Sequence, residues 1–303
     1  MRDAVIVGAV RTPVGRRRGT LSTIHPVDLS GHILTALADR IGLDPAEVED
    51  VVWGCVSQVG EQSWNIGRNA VLAAGWPESV TAATIDRQCG SSQHAVHLAA
   101  AAVIAGQVDV AVAGGVESMS RVPMGSSALD QAPFGERIPS RYRGREGFAD
   151  GSKSPFSQGV GAEMIAARWG LSRPQLDEFA VTSHARAAIA TDNGEFTKEL
   201  APVAGLTADE GIRRDTSLDA LAKLRTPFRA DGVVTAGTAS QISDGAAALA
   251  VTTSVWAAAH GLAPMARVHT AVVAGDDPII MLTAPIPATA KALRRSGRSM
   301  DDI

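Results

Sequence analysis

Short runs rich in Val, Ile and Ala alternate along this chain with Ala/Leu-rich stretches of helical period, and that alternation leaves few folds open. Runs such as Val108-Asp109-Val110-Ala111-Val112-Ala113 are apolar in nearly every position, as strands covered on both faces must be. Strands are expected over residues 4–10, 51–56, 81–86, 108–113, 247–253 and 266–274, and helices over 27–41, 65–74, 91–105, 160–169, 174–193 and 287–296. Asp44-Pro45-Ala46-Glu47 and Ser172-Arg173-Pro174 read as helix starts, each a capping side chain followed by proline. The class is α/β, a sheet covered by helices.

Composition narrows the function. With 303 residues, 45 % hydrophobic and 20 % charged, the chain can bury a large core and is neither disordered nor fibrous. A net charge of −4 gives no basic field for nucleic acid or an anionic membrane. One Tyr and six Phe provide few rings for stacking bases. The longest strictly apolar run, 98–105, is far below the ~18 residues of a spanning helix. A strand-like run begins at once after Met1-Arg2-Asp3, so no leader is expected. Two cysteines form no disulfide framework, which points to a reducing, cytoplasmic setting.

From residue 120 to about 157, Gly, Pro, Ser and Arg dominate and no period persists. Residues 120–241 therefore read as an excursion from the sheet domain, and Arg137, Arg141, Arg143 and Arg145 within it as a solvated face. The chain also echoes itself. Strand, helix, Gly42 and a capped acidic segment lead into the strand at Val51; a second such unit starts near residue 265, passes Gly297, and reaches Ile303 where its next strand should open. By that pattern the sequence stops inside a structural unit.

Chemistry concentrates at Asp86-Arg87-Gln88-Cys89-Gly90-Ser91-Ser92-Gln93. A cysteine between a strand and a helix sits near unpaired N–H groups and the positive end of the helix dipole, which favours a nucleophilic thiolate. Gly90 lets backbone approach a ligand, and Ser91 or Ser92 can cap the helix. Cys55 falls within an apolar strand and reads as core. His94 and His97, one turn apart, lack a third ligand of fitting spacing, so no metal site is expected. Gly159-Val160-Gly161 has neither the third glycine nor the preceding strand of a dinucleotide fingerprint, and no P-loop occurs.

Arg11-Thr12-Pro13-Val14-Gly15, the Cys89 segment, Gly114-Gly115-Val116-Glu117-Ser118-Met119-Ser120 and Val234-Thr235-Ala236-Gly237-Thr238-Ala239-Ser240-Gln241-Ile242-Ser243-Asp244-Gly245-Ala246-Ala247 together resemble the thiolase family in order and spacing, over essentially the whole chain. The Arg-Gln-Cys-Gly-Ser-Ser-Gln form is most similar to the degradative 3-ketoacyl-CoA thiolases of bacteria. The resemblance implies the thiolase fold: two similar α/β halves in a layered α-β-α-β-α arrangement with an inserted loop domain. Residues 1–119 and 242–264 would form the N-terminal half, 120–241 the loop domain, and 265–303 the start of an incomplete second half.

It further implies an acyl-CoA:acetyl-CoA C-acyltransferase, such as an acetyl-CoA acetyltransferase of fatty-acid β-oxidation, working as a homodimer or homotetramer. Coenzyme A and acyl-CoA would be its substrates, with no covalently bound cofactor. Cys89 matches the cysteine that takes the acyl group, Ser240 lies against the pantetheine arm with Ala236 and Ala239 along the same wall, and Arg213 matches a residue beside the CoA adenine, with Arg214 as a helper. Two departures stand out. Many members have His-Met-Gly over the acyl tunnel, where this chain has Ser157-Gln158-Gly159; and the family's Asn-Glu-Ala-Phe, Gly-His-Pro and Cys-x-Gly segments, which hold the catalytic water, base and acid/base, match nothing in residues 1–303. The rival readings are a ketoacyl synthase of the same fold, against which Gly-Gly-Val-Glu-Ser-Met-Ser argues, and, if the chain ends at Ile303, a non-catalytic acyl-CoA binder.

Overall fold

The structure is a computed structural model describing residues 2–129 and 131–303. In chain order its strands are β1 (Val5–Arg11), β2 (Gly15–Arg16), β3 (Asp50–Gly54), β4 (Thr81–Ile85), β5 (Val110–Ser118), β6 (Ser243–Thr252) and β7 (Ala266–Arg267). Its helices are α1 (Pro26–Ile41), α2 (Ile66–Ala73), α3 (Ser91–Ala105), α4 (Arg137–Tyr142), α5 (Gln158–Trp169), α6 (Arg173–Asp192), α7 (Leu218–Ala222), α8 (Ser254–Ala259) and α9 (Pro285–Ser296). The chain divides into two compact units: Met1–Ser127 with Gly194–Gly211 and Gln241–His269, and Ala128–Asn193 with Ile212–Ser240 and Thr270–Ile303.

All the strands belong to the first unit, in one mixed sheet ordered β4-β3-β5-β6-β1-β7, with β2 paired to β6. β3 runs parallel to β4 and β5, whereas β6 runs antiparallel to β5 and β1. The alternation of β5 sorts its residues by size. Val110, Val112 and Val116 join a core with Leu29, Ile33, Leu34 and Leu37 of α1 and Ile66 and Val71 of α2. Ala111 and Ala113 face the other way, onto Ala95, Ala99 and Val103 of α3. Small residues on both sides of that second interface bring α3 close to the sheet.

Most expected elements appear within two residues of their bounds, and α3 matches at both ends. The strand expected over 266–274 does not form beyond Arg267. Its partner is the reason: Ile6 pairs with Ala266 and Val5 with Arg267, Val268 N–H still donates to Ala4 carbonyl, and there β1 has already ended. An apolar run without a neighbour to bond is no strand. Asp44 caps as expected, accepting from Ala46 N–H at 2.9 Å, but Pro45–Glu47 is a single 3₁₀ turn. The irregular 120–157 stretch contains the short helix α4, and α7 and α8 carried no clear periodic signal.

The second unit is helical. Ser172 and Gln175 form the capping box that starts α6. Edge-to-face packing of Phe156 on Phe134, Tyr142 and Phe148 gives the Gly/Pro-rich loop a small aromatic core. The four arginines at 137, 141, 143 and 145 are all exposed. The internal echo holds locally: α1 ends at Gly42 and α9 at Gly297, both left-handed, and each is followed by a capped 3₁₀ turn, Pro45–Glu47 and Met300–Asp302.

Candidate active site

Four sequence motifs converge on the middle of the sheet. Gly114 to Ser118 pair residue for residue with Ala248 to Asp244, so the Gly-Gly-Val-Glu-Ser and Ser-Asp-Gly-Ala-Ala segments are neighbouring strands. Thr12, from the Arg-Thr-Pro segment, exchanges hydrogen bonds with Ala246: its N–H donates to the Ala246 carbonyl at 2.9 Å and its hydroxyl accepts from the Ala246 N–H at 3.2 Å. The Cys89 segment reaches the same place through glycines. A Cβ on Gly115 would collide with Ser92 Oγ, and one on Gly54 with the backbone of Ser91 and Ser92. Only glycine on two adjacent strands lets the first turn of α3 seat this deeply.

Cys89 lies on the exposed turn between β4 and α3. The residue before it, Gln88, has φ of +49°, a left-handed conformation that is costly for a non-glycine residue. Ser91 holds the turn in that shape. Its buried hydroxyl accepts from Arg87 N–H at 2.8 Å and donates to the Gln88 carbonyl at 2.6 Å, while Asp86 accepts from Gln88 N–H at 2.6 Å. The N-cap of α3 is Gly90, which has no side chain to cover the N–H groups of the first turn. An anion forming beside Cys89 therefore meets donors and the positive end of a helix.

Cys55 is the opposite case. It is 1 % exposed, and burial, with Glu117 and Asp86 nearby, pushes its thiol up to about 12. Its surroundings contain a polar network that sequence reasoning missed. Gln62, fully buried, donates to the Ser57 carbonyl, to Glu117 and to Cys55 Sγ, and accepts from Ser118 N–H at 2.7 Å. Glu117 in turn accepts from Val56 and Ser57 N–H. The available signal was a glutamate, Glu117, directly after the apolar run 110–116. His94 and His97 stack edge to face at 5.8 Å, with Arg87 3.2 Å from His94 Nε2. Partial burial, then the nearby Arg87 charge, lowers both histidines from their ordinary range. Among the described residues no cluster of three or more His, Cys, Asp or Glu could hold a metal.

The other expected site residues, Arg213, Ala236, Ala239 and Ser240, lie in the second unit. Arg213, Ala236 and Ser240 are exposed and Ala239 is half-buried. Arg213 N–H donates to His184 Nδ1 at 3.2 Å, leaving its guanidinium at the surface. Arg214 makes a two-point ion pair with Asp192 at 2.7 and 2.8 Å, so its guanidinium is already engaged. Ahead of Ala236, the chain is fixed by Glu163, a buried carboxylate that accepts from Val233 and Val234 N–H at 2.8 and 2.9 Å. Thr235 and Thr238 then close a tight turn under Gly237. Glu163 was hidden in the sequence because its partners are backbone groups seventy residues away.

These features define an α/β enzyme with an exposed cysteine at a strand–helix junction. The family model "Thiolase, N-terminal domain" matches residues 4–254. A steroid 3-ketoacyl-CoA thiolase of Mycobacterium tuberculosis is 43 % identical, over 100 % of this chain and 75 % of that protein. A 3-ketoacyl-CoA thiolase of Saccharophagus degradans is 40 % identical, over 100 % of this chain and 77 % of that one. The crystal structure of the Bacillus anthracis acetyl-CoA acetyltransferase superposes with a TM-score of 0.88 at 36 % identity, covering 100 % of this chain and 78 % of that chain. The chain belongs to the thiolase family, and it is an acyltransferase with the thiolase α/β fold.

Proposed function

We propose that this chain exchanges acyl groups between 3-ketoacyl-CoA with free CoA on one side and acyl-CoA with acetyl-CoA on the other, with Cys89 as the acyl carrier. The Cys89 thiolate adds to the C3 carbonyl of the ketoacyl chain. The C2–C3 bond then breaks, its electron pair going to C2, which takes up a proton to become the methyl of acetyl-CoA. The shortened acyl group remains on sulfur as a thioester. CoA thiol attacks that thioester, loses its proton, and Cys89 leaves as thiolate. The observation that carries this reading is the Cys89 turn: an exposed thiol on a strained, serine-held loop at an uncovered helix N-terminus.

In the same reading Arg213 faces the adenine and phosphates of CoA, and Ala236, Ala239 and Ser240 line the pantetheine arm, where small side chains admit a thin ligand. Domain bounds of 1–119 with 242–264, an inserted 120–241 and a second half from 265 belong to it too, as do a homodimer or homotetramer, a cytoplasmic setting and a role in fatty-acid breakdown; the 3-ketoacyl-CoA thiolase names of the relatives support the last. Among the described residues no helix is long and apolar enough to cross a membrane. The test is CoA-dependent cleavage of 3-ketoacyl-CoA substrates of graded chain length by parent and Cys89→Ser proteins, each fused to a thiolase C-terminal segment that carries the Asn-Glu-Ala-Phe, Gly-His-Pro and Cys-x-Gly motifs. Cleavage by the parent, with loss of about a thousandfold or more in the variant, is expected; equal rates would reject Cys89 as the carrier.

A further inference from the structure

We infer that Gln241 is a positioning residue for coenzyme A: its side-chain amide donates to the Gly211 carbonyl at 2.8 Å and closes the base of the 212–240 segment, setting the spacing between Arg213 at its start and Ser240 at its end. The inference rests on the reading of Arg213 and Ser240 as CoA contacts given above.

The incoming limb is rigidly anchored just before Gly211. Asp209 binds the Arg11 guanidinium through both oxygens, at 2.7 and 3.1 Å, and accepts from Val14 N–H at 2.8 Å. Glu210 accepts from Arg16 N–H at 3.1 Å, from Thr20 N–H at 3.2 Å and from the Thr20 hydroxyl at 2.5 Å, and its own N–H donates to the Val14 carbonyl at 2.9 Å. The outgoing limb is anchored just after Gln241, where Ser243 pairs with Arg16 and Asp244 accepts from Ser120 N–H at 2.8 Å. Between these anchors the Gln241 amide adds a direct bond from one limb to the other. Gly211 is shaped for it: a Cβ there would sit 2.7 Å from Gln241 Oε1 and 3.4 Å from Nε2, so a side chain would push the amide off the carbonyl.

Gln241 is exposed, so the bond adds little to global stability. Its effect is on the segment. Without the tie, the ends that carry Arg213 and Ser240 sample more separations, and CoA must freeze them on binding. That cost appears in affinity for CoA and leaves the chemistry at Cys89 untouched.

The experiment measures CoA binding by calorimetry for the parent chain and for Gln241→Met, Gly211→Ala, the double variant and Arg213→Ala, with melting curves, iodoacetamide labelling of Cys89 and, in turnover by the same C-terminal fusions, KM for CoA and kcat. Gln241→Met and Gly211→Ala are each expected to weaken CoA about three- to tenfold. The double variant should be no weaker than the weaker single, because both break one bond. KM for CoA should rise in step, with kcat, melting temperature and Cys89 labelling unchanged. Full affinity in Gln241→Met beside a weakened Arg213→Ala would overturn the tie and leave the CoA site standing. Full affinity in both would overturn the site and the tie with it. A loss of affinity that comes only with a lowered melting temperature and slowed Cys89 labelling would make Gln241 a general fold residue and overturn its positioning role.

Discussion

The two cysteines of this chain each follow a strand of the same sheet and differ in exposure. Cys89 is exposed on a turn, whereas Cys55 is packed beneath the sheet with its thiol pushed up to about 12. Iodoacetamide at neutral pH should therefore modify Cys89 and leave Cys55 intact until the protein unfolds, as peptide mapping will show; prior labelling of Cys55 would contradict the burial. Among the arginines the same logic separates neighbours. Arg213→Ala should weaken CoA by roughly 1–2 kcal/mol through lost stacking and charge contacts. Arg214→Ala should leave CoA affinity almost unchanged, because that guanidinium is held by Asp192. In the sequence Cys89 stood out by its place between a strand and a helix, and Arg213 was singled out only through the family resemblance that proposes it for CoA. Gln241, Glu163 and Gln62 were not legible, because each acts on backbone groups that only the folded chain brings near.

The position of α3 is set by what its neighbours lack. Gly54 and Gly115 leave room for its first turn, and the Ala-lined face of β5 receives its Ala-rich side. Gly115→Val should cost about 3 kcal/mol of stability by forcing helix and strand apart, and should slow Cys89 labelling in the fraction that folds. Retention of both melting temperature and labelling rate would show that α3 is not held this tightly. This helix was readable at both ends, because Gly90 and Gly106 bound an uninterrupted helical run. The 266–274 strand was misread for the complementary reason: its apolar pattern is present, but pairing requires a partner, and β1 begins only at Val5. Periodicity records which faces are buried and is silent about which neighbours exist.

Across the molecule, several charged groups tie stability to pH in one direction. Partial burial and Arg87 hold His94 and His97 below their ordinary value of 6.5, so on acidification the unfolded chain takes up these protons first and stability falls from about pH 6.5 downward. Glu61 is held below 4.5 by its hydrogen bonds from Arg121; Glu210, despite an opposing effect of burial, is held low by hydrogen bonds from Thr20 and Arg16. Their contribution is present above the ordinary carboxylate range and is lost as pH falls through it. Melting temperatures should thus decline in two stages, and a His94→Gln, His97→Gln protein should lose only the upper stage; a flat profile from about pH 7 to pH 5 in the parent would contradict the histidine assignment.

One covalent bond, the thioester on Cys89, is central to the proposed chemistry. When the protein is mixed with a 3-ketoacyl-CoA in the absence of free CoA, intact-mass and peptide analysis should find the shortened acyl group as a thioester on Cys89. Added CoA should then discharge it as acyl-CoA. Acetyl-CoA formation with no acyl group on Cys89, or an acyl group on another residue, would contradict it.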